Sequence, residues 1–161
     1  LSDALAARAI GAAQEADMDA VRALFRAYAG SVDAPTCFAG FERELAALPG
    51  DCAAPQGGIL LARVPEDGRA VGVVAFHAIA PGIAEMKRLY VAPHARGRGL
   101  GRALVVAALT AAAAAGNRAL RLSTLPAAMP AADALYRAMG FRPIPPYPGV
   151  APGCACYEMR L

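Results

Sequence analysis

Tryptophan is absent from this chain, lysine occurs once, at Lys87, and histidine only twice. No block of like charge occurs, and a net charge of +3 is too small to argue for a nucleic-acid partner. Aromatic residues are 6% of the chain and are not interleaved with basic runs, so a base-stacking surface is not expected. The four cysteines, Cys37, Cys52, Cys154 and Cys156, form no C-x-x-C pair. With two histidines beside them, no metal site is expected, and the thiols read as reduced, mostly buried groups of a cytoplasmic protein. A basic segment followed by an apolar stretch is missing at the start, so no signal peptide is read. The most apolar run, Ala103 to Gly116, is mostly alanine and too short for a membrane span. The sole lysine is followed by Arg88, so a G-K-[ST] phosphate loop is excluded in its usual form. G-x-S-x-G and a Cys–His pairing signal are also missing, which argues against a covalent enzyme intermediate.

What is present suits a packed domain. The chain has 161 residues, of which 57% are hydrophobic, and we read 1–161 as one domain with its own core. Arg8 to Ala13 reads as a weak strand. Asp17 is placed to cap a helix carrying Val21, Leu24, Phe25 and Tyr28 on one face. After the break at Asp33-Ala34-Pro35, a second helix places Phe38, Phe41, Leu45 and Leu48 on one side, with Glu42, Arg43 and Glu44 opposite. Pro49-Gly50 ends it. Gly58 to Val64, Ala70 to Ile79 and Ile83 to Val91 read as three strands joined by turns at Glu66-Asp67-Gly68 and Pro81-Gly82. Helices are expected over Leu100 to Ala115 and Pro130 to Met139, with Gly140 as a left-handed cap. A strand lies between them at Ala119 to Thr124. Arg142 to Pro152 reads as a Pro-rich loop, and Cys154 to Leu161 as the closing strand. The order implies an α/β (α+β) fold: a mixed, mostly antiparallel sheet flanked by helices.

The segment "RLYVAPHARGRGLGRAL" carries the chemistry. It places Arg96, Arg98 and Arg102 around Gly97, Gly99 and Gly101 at a helix start. Free backbone N–H groups and the helix dipole converge there, and arginine adds contacts to phosphate oxygens, so a pyrophosphate suits the turn. A Rossmann G-x-G-x-x-G does not fit: from Gly97 its last place is Arg102, and from Gly99 it is Leu104. On the loop alone, a turn without a ligand stays open.

Arg96-Gly97-Arg98-Gly99-Leu100-Gly101 resembles the Q/R-x-x-G-x-G/A signature of the GNAT superfamily of N-acetyltransferases. The resemblance extends to the strand "EMKRLYV" before it and to "ALYRAMGF", Ala134 to Phe141, and it covers nearly the whole chain. It implies acetyl-CoA as co-substrate. Leu89, Tyr90 and Val91 would pair with the pantetheine arm, and Arg96 to Arg102 would wrap the pyrophosphate. The fourth and fifth strands would splay around the thioester. Tyr136 matches the family's general acid for the leaving sulfur. Glu85, eleven residues before Arg96, stands where histone-acetylating members carry a base carboxylate. Read as an unbroken strand, Glu85, Lys87, Leu89 and Val91 share one face. A partly buried Glu85 is expected to have a raised pKa, with an ion pair to Lys87 as its structural alternative. The oxyanion donor is expected to be a backbone N–H near Leu89. Many members have Asn seven residues before the acid tyrosine; here that residue is Met129, and Thr124 is the expected substitute contact.

Phe25, Tyr28, Phe38, Phe41 and Tyr147 could line the acceptor's entrance, though most of the helical aromatics read as core. The resemblance implies an N-acetyltransferase acting on a small-molecule or peptide amine, and it leaves a homodimer open. A non-catalytic acyl-CoA-binding sensor would keep the loop but need neither Glu85 nor Tyr136, so the presence of both favours an enzyme.

Overall fold

The computed structural model describes residues 10–161. Its elements in chain order are β1 (Ile10–Ala12), α1 (Met18–Ser31), α2 (Phe41–Ala47), β2 (Gly58–Arg63), β3 (Ala70–Ala80), β4 (Ile83–Val91), α3 (Leu100–Ala114), β5 (Ala119–Thr124), α4 (Pro130–Ala138), β6 (Arg142–Ile144) and β7 (Ala155–Arg160). The expected residues Arg8 and Ala9 of the first strand lie outside the described part. One seven-stranded sheet runs β1-β2-β3-β4-β5-β7-β6, antiparallel except where β4 meets β5. This is the mixed sheet read from the sequence.

The sheet separates two apolar clusters. On one face α3 and α4 bury Leu104, Val105, Ala108 and Tyr136 against Leu60, Val74, Phe76 and Leu122. Alanines on α3 let the helix lie close to β2, β3 and β4. On the other face Val21, Leu24 and Phe25 of α1 and Leu45 of α2 cover Ile59, Leu61, Val73 and Ala75. Phe25 is fully buried core, as its helical spacing with Val21 implies.

Three local expectations need correction. The second helix is shorter than read: Phe38 sits in a separate one-turn helix at Pro35–Phe38, and Leu48 lies beyond the end of α2. Gly40 breaks the run by adopting φ +73°, a left-handed conformation that disfavours other residues. Asp17 does not cap α1 with its side chain. Its carboxylate instead accepts the Gln14 backbone N–H at 2.8 Å and pairs with Arg63 at 2.7 Å. Within the Pro-rich loop, Arg142–Ile144 forms the short edge strand β6 on β7. Pro143 is tolerated because an edge strand has an unpaired side.

β4 carries the feature on which the site depends. Ala75 pairs with Lys87, but Val73 pairs with Tyr90, so β4 has an extra residue opposite β3 there. Arg88 takes up the bulge at φ +61°. The bulge flips the alternation, which corrects the expected common face. Glu85 is the cross-strand partner of His77 on the α1 and α2 side, whereas Leu89 and Val91 pack with the α3 and α4 cluster.

Candidate active site

β4 and β5 pair only at Ile83 with Ala119, Ala84 with Leu120 and Glu85 with Arg121. β5 then stays with β7 as far as Thr124, while β4 continues with β3 to Val91. The strands therefore part, as the sequence reading expected, and a groove of about 430 Å³ opens between them. Leu89, Tyr90 and Val91 form one wall and Thr124 part of the other, with Tyr28 of α1 and Tyr136 of α4 beside them. A larger hollow of about 920 Å³ near Met18 and Cys52 lies away from this gap.

The glycine-rich turn forms the groove's outer end. Gly99 is the N-cap of α3 at φ +77°. The first helical bond there runs from the Ala103 N–H to the Gly99 carbonyl, leaving the N–H groups of Leu100, Gly101 and Arg102 without intrahelical acceptors. Arg96, Gly97, Gly99, Leu100 and Gly101 line the groove. Arg96 donates from Nε to the Val91 carbonyl at 2.9 Å and lies over the Tyr90 ring at 5.7 Å. Arg98 and Arg102 are exposed and outside the groove's lining, and Arg102 borders a separate hollow beside Ile10 and α3.

The inner walls carry polar groups short of partners. Thr124 is 3% exposed, and its Oγ1 has no hydrogen-bond partner. A buried hydroxyl left alone on a groove wall fits a ligand that brings amide groups, as a pantetheine arm does. The Tyr136 ring is buried, edge-on to Phe141 at 5.8 Å. Burial, with a smaller contribution from nearby Tyr28, raises its hydroxyl far above the ordinary tyrosine pKa, so it stays protonated at neutral pH. The helix carrying it is tied to β7, because the Tyr157 hydroxyl donates to Asp133 at 2.6 Å. Met129, where the resemblance leads one to expect Asn, is the N-cap of α4 and accepts a hydrogen bond on sulfur from the Tyr28 hydroxyl at 3.2 Å.

Glu85 sits where β4 and β5 begin to part, at the sheet position facing α1 and α2. Its Oε1 lies 3.2 Å from His77 Nε2. An ionised carboxylate can only accept, so that nitrogen carries the proton. The Tyr147 hydroxyl, buried without a hydrogen bond of ordinary length, approaches the same carboxylate. Burial alone would raise Glu85, but His77, Tyr147 and Lys87 together hold it below the usual glutamate value. This corrects the expected raised pKa. The alternative reading, an ion pair with Lys87, is not met: Lys87 Nζ lies 2.9 Å from Glu44 Oε1.

Glu44 is the clearest residue that the sequence reading missed. The charge pattern puts it on the polar side of the second helix, yet its side chain is only 20% exposed, between Lys87 and Arg88. Arg88 reaches it through Nη2 at 2.6 Å and Nε at 3.3 Å, and donates from Nη1 to the Cys37 carbonyl at 3.3 Å. The Arg88 guanidinium also covers the Phe38 and Phe41 rings at 4.8 and 5.3 Å. Nothing local in the sequence announces this, because it needs both the Gly40 break and the bulge. His77 is hidden for a similar reason: plain counting outward from the Pro81-Gly82 turn sets Glu85 opposite Ala78, and the irregularity between Ala78 and Ala80 shifts the register by one and gives it His77 instead.

All four cysteines are free, with Cys52 and Cys156 buried and Cys37 and Cys154 half-buried. Among the described residues no group of three or more His, Cys, Asp or Glu is placed to hold a metal. No described helix is long and apolar enough to cross a membrane.

Comparison with known proteins agrees with this geometry. Residues 18–141 match the sequence profile of the Acetyltransferase (GNAT) family. An uncharacterized N-acetyltransferase of Schizosaccharomyces pombe is 36% identical over 132 residues, 81% of this chain and 80% of its own length. A Klebsiella pneumoniae structure assigned as an acyl-CoA N-acyltransferase is 30% identical, with a TM-score of 0.63 over 77% of this chain and 86% of its own. A Mycobacterium tuberculosis protein solved in complex with CoA shares the fold at 18% identity, with a TM-score of 0.70 over 94% of this chain and 98% of its own.

Proposed function

The chain belongs to the GNAT family of acetyltransferases, and on that premise we propose that it moves the acetyl group of acetyl-CoA directly to a primary amine in the gap between β4 and β5. It is an acetyl-CoA-dependent acyltransferase; the acceptor and the residue roles below are our reading. The observation that carries them is the gap itself, walled by β4 and by an unpartnered Thr124 hydroxyl, with a protonated tyrosine beside it.

Leu89, Tyr90 and Val91 offer main-chain groups to the pantetheine arm, and Thr124 adds a side-chain contact. Gly97, Gly99, Leu100 and Gly101 leave N–H groups facing the pyrophosphate, and Arg96 sits beside them. We assign Arg98 and Arg102, being exposed, to the solvent side of the same phosphates.

In the transfer, the amine nitrogen forms a bond to the acetyl carbon as the carbon–sulfur bond breaks. The sulfur leaves with that electron pair and takes the proton of the Tyr136 hydroxyl. The proton shed by the amine passes to Glu85, directly or through water. Solvent restores both groups. His77 acts as a positioning residue, holding Glu85 ionised and fixed in one orientation. Main-chain N–H groups released by the bulge near Leu89 steady the charge that grows on the acetyl oxygen.

The acceptor enters from the α1 and α2 side, past Tyr147. It is a small molecule or a peptide amine. We read 1–161 as one catalytic domain, placed in the cytoplasm on the strength of its free thiols, and we leave a homodimer open. Incubation with acetyl-CoA and a panel of amino acids, polyamines, aminoglycosides and lysine peptides, followed by free-thiol release, tests the reading. Amine-dependent release that falls roughly tenfold or more in Tyr136→Phe supports it. Tight acetyl-CoA binding with no release for any amine would favour the sensor.

A further inference from the structure

Tyr28 is not used by the chemistry described so far, yet it lines the groove beside Leu89 and Tyr136. It stands in the last turn of α1, half-buried, and its ring is held on two sides. Phe38 meets it edge-on at 5.5 Å and Tyr90 is tilted against it at 6.1 Å. Tyr90 belongs to the strand wall and Phe38 to the segment that covers Arg88, so the ring is fixed independently of any ligand.

The partner of the hydroxyl is unusual. It donates to the Met129 thioether at 3.2 Å, and a thioether sulfur is a weak acceptor. Tyr28 and Met129 both line the groove, together with Leu89 and Tyr136. A fixed phenol aimed into a ligand groove has thus spent its proton on the poorest acceptor class in the protein inventory. A carbonyl oxygen entering the groove is a better acceptor and would take that bond.

We propose that Tyr28 donates its hydroxyl proton as a hydrogen bond to the thioester carbonyl oxygen of acetyl-CoA, and that Met129 holds the donor in place until the carbonyl arrives. This rests on the reading of the groove as the acetyl-CoA site and adds a side-chain donor to the main-chain N–H groups near Leu89. The hydrogen bond strengthens as the oxygen gains charge, which is the condition for accelerating the transfer. Burial raises the Tyr28 pKa against a smaller opposing effect of Arg88, so the group remains a donor at neutral pH. No covalent bond to Tyr28 forms, and its proton stays on the phenol throughout. Tyr136 keeps the separate task of supplying the proton taken by the sulfur.

Isotope-edited infrared spectroscopy of acetyl-CoA carrying a ¹³C carbonyl reads the bond directly. Bound to the wild-type protein, the carbonyl band should lie below its position in free acetyl-CoA. In Tyr28→Phe, which keeps the ring and its packing, the band should move back towards the free value, while CoA without an acetyl group binds as before. Turnover in Tyr28→Phe should fall by about a hundredfold, the usual loss for one such donor. In Met129→Leu the low band should persist, because the sulfur serves only as a placeholder. A wild-type band at the free position, or a low band unchanged by Tyr28→Phe, would overturn the assignment of Tyr28 alone. Failure of acetyl-CoA to bind the wild-type protein at all would instead overturn the reading of the groove.

Discussion

Glu44 Oε2 lies 2.6 Å from Arg88 Nη2, and Arg88 is the one described non-glycine residue with a positive φ. A left-handed conformation costs an ordinary residue about 1–2 kcal/mol. The bidentate pair, the Cys37 carbonyl and two aromatic faces hold the residue there. The bulge directs Leu89 and Val91 to one side and the charges of Lys87 and Arg88 to the other. An ion pair from α2 therefore sets the shape of the strand that walls the groove.

Glu44→Ala should consequently affect two things at once. Removing one partner leaves the Arg88 guanidinium, 10% exposed, without its anion. The expected loss of stability is about 3 kcal/mol, the lower end for enclosed pairs. Denaturant unfolding measures it, and acetyl-CoA affinity should fall as the strand relaxes. Burial pushes the Glu44 pKa up, but Arg88 and Lys87 outweigh it and hold it below the ordinary glutamate value. The pair thus stabilises the fold at pH above the ordinary value, about 4.3, and this contribution is lost as pH falls through the lower folded-state value. Unfolding curves of wild type and Glu44→Gln should converge as the pH drops through that window.

Tyr136→Phe should lower turnover by roughly tenfold or more, as expected for loss of one general acid. The ring, its contact with Phe141 and the packing of α4 are retained, so calorimetric affinity for CoA should stay close to wild type. Equal turnover under conditions where the chemical step limits the rate would remove Tyr136 from the acid role.

The His77 prediction concerns pH. In the folded protein His77 helps to hold Glu85 below the usual glutamate value. His77→Leu removes the donor while the burial of Glu85 remains, so its pKa should rise. The acidic limb of the pH–rate profile should then move to higher pH, and the carboxyl ¹³C resonance of Glu85 should titrate later. His77→Gln, which keeps an N–H donor, should restore most of the wild-type midpoint. Profiles that coincide in all three proteins would make His77 structural. Glu85→Gln should reduce activity, with partial recovery at high pH where free amine is abundant. Wild-type turnover across the range would assign deprotonation to water.

Apart from the short edge strand β6, which sits in a Pro-rich loop, the elements from β2 onward were legible because their apolar periods and turn residues agree with the fold. The glycine turn was legible because its chemistry is local: Gly97 and Gly99 both take φ +77° immediately before the N–H groups of α3. The errors cluster where a strand or helix is interrupted by tertiary contact. A period-2 reading of β4 assigns Leu89 to the face of Glu85, and only the bulge at Arg88 separates them. The charge pattern of α2 sends Glu44 to solvent, and only Lys87 and Arg88 from another element enclose it. The helical spacing of Tyr28 with Val21, Leu24 and Phe25 suits the core as well as the acceptor's entrance. What distinguishes it is a bond to Met129 that no local pattern encodes. The depressed Glu85 follows from a cross-strand partner, His77, that the register shift between Ala78 and Ala80 supplies and the turn alone does not imply.

The most direct test of the groove as the acetyl-CoA site is a calorimetric titration of CoA into the wild-type protein and Gly101→Val. Gly101 is helical, and a Cβ built there meets only Leu135 Cδ2 at 3.8 Å, an ordinary contact, so the variant should fold. Its branched side chain would stand between the first-turn N–H groups of α3 and the phosphates. The account predicts one site per chain in the wild type and at least about tenfold weaker binding in the variant, the loss of one or more charge-assisted hydrogen bonds. Equal affinity in a folded Gly101→Val protein would contradict it.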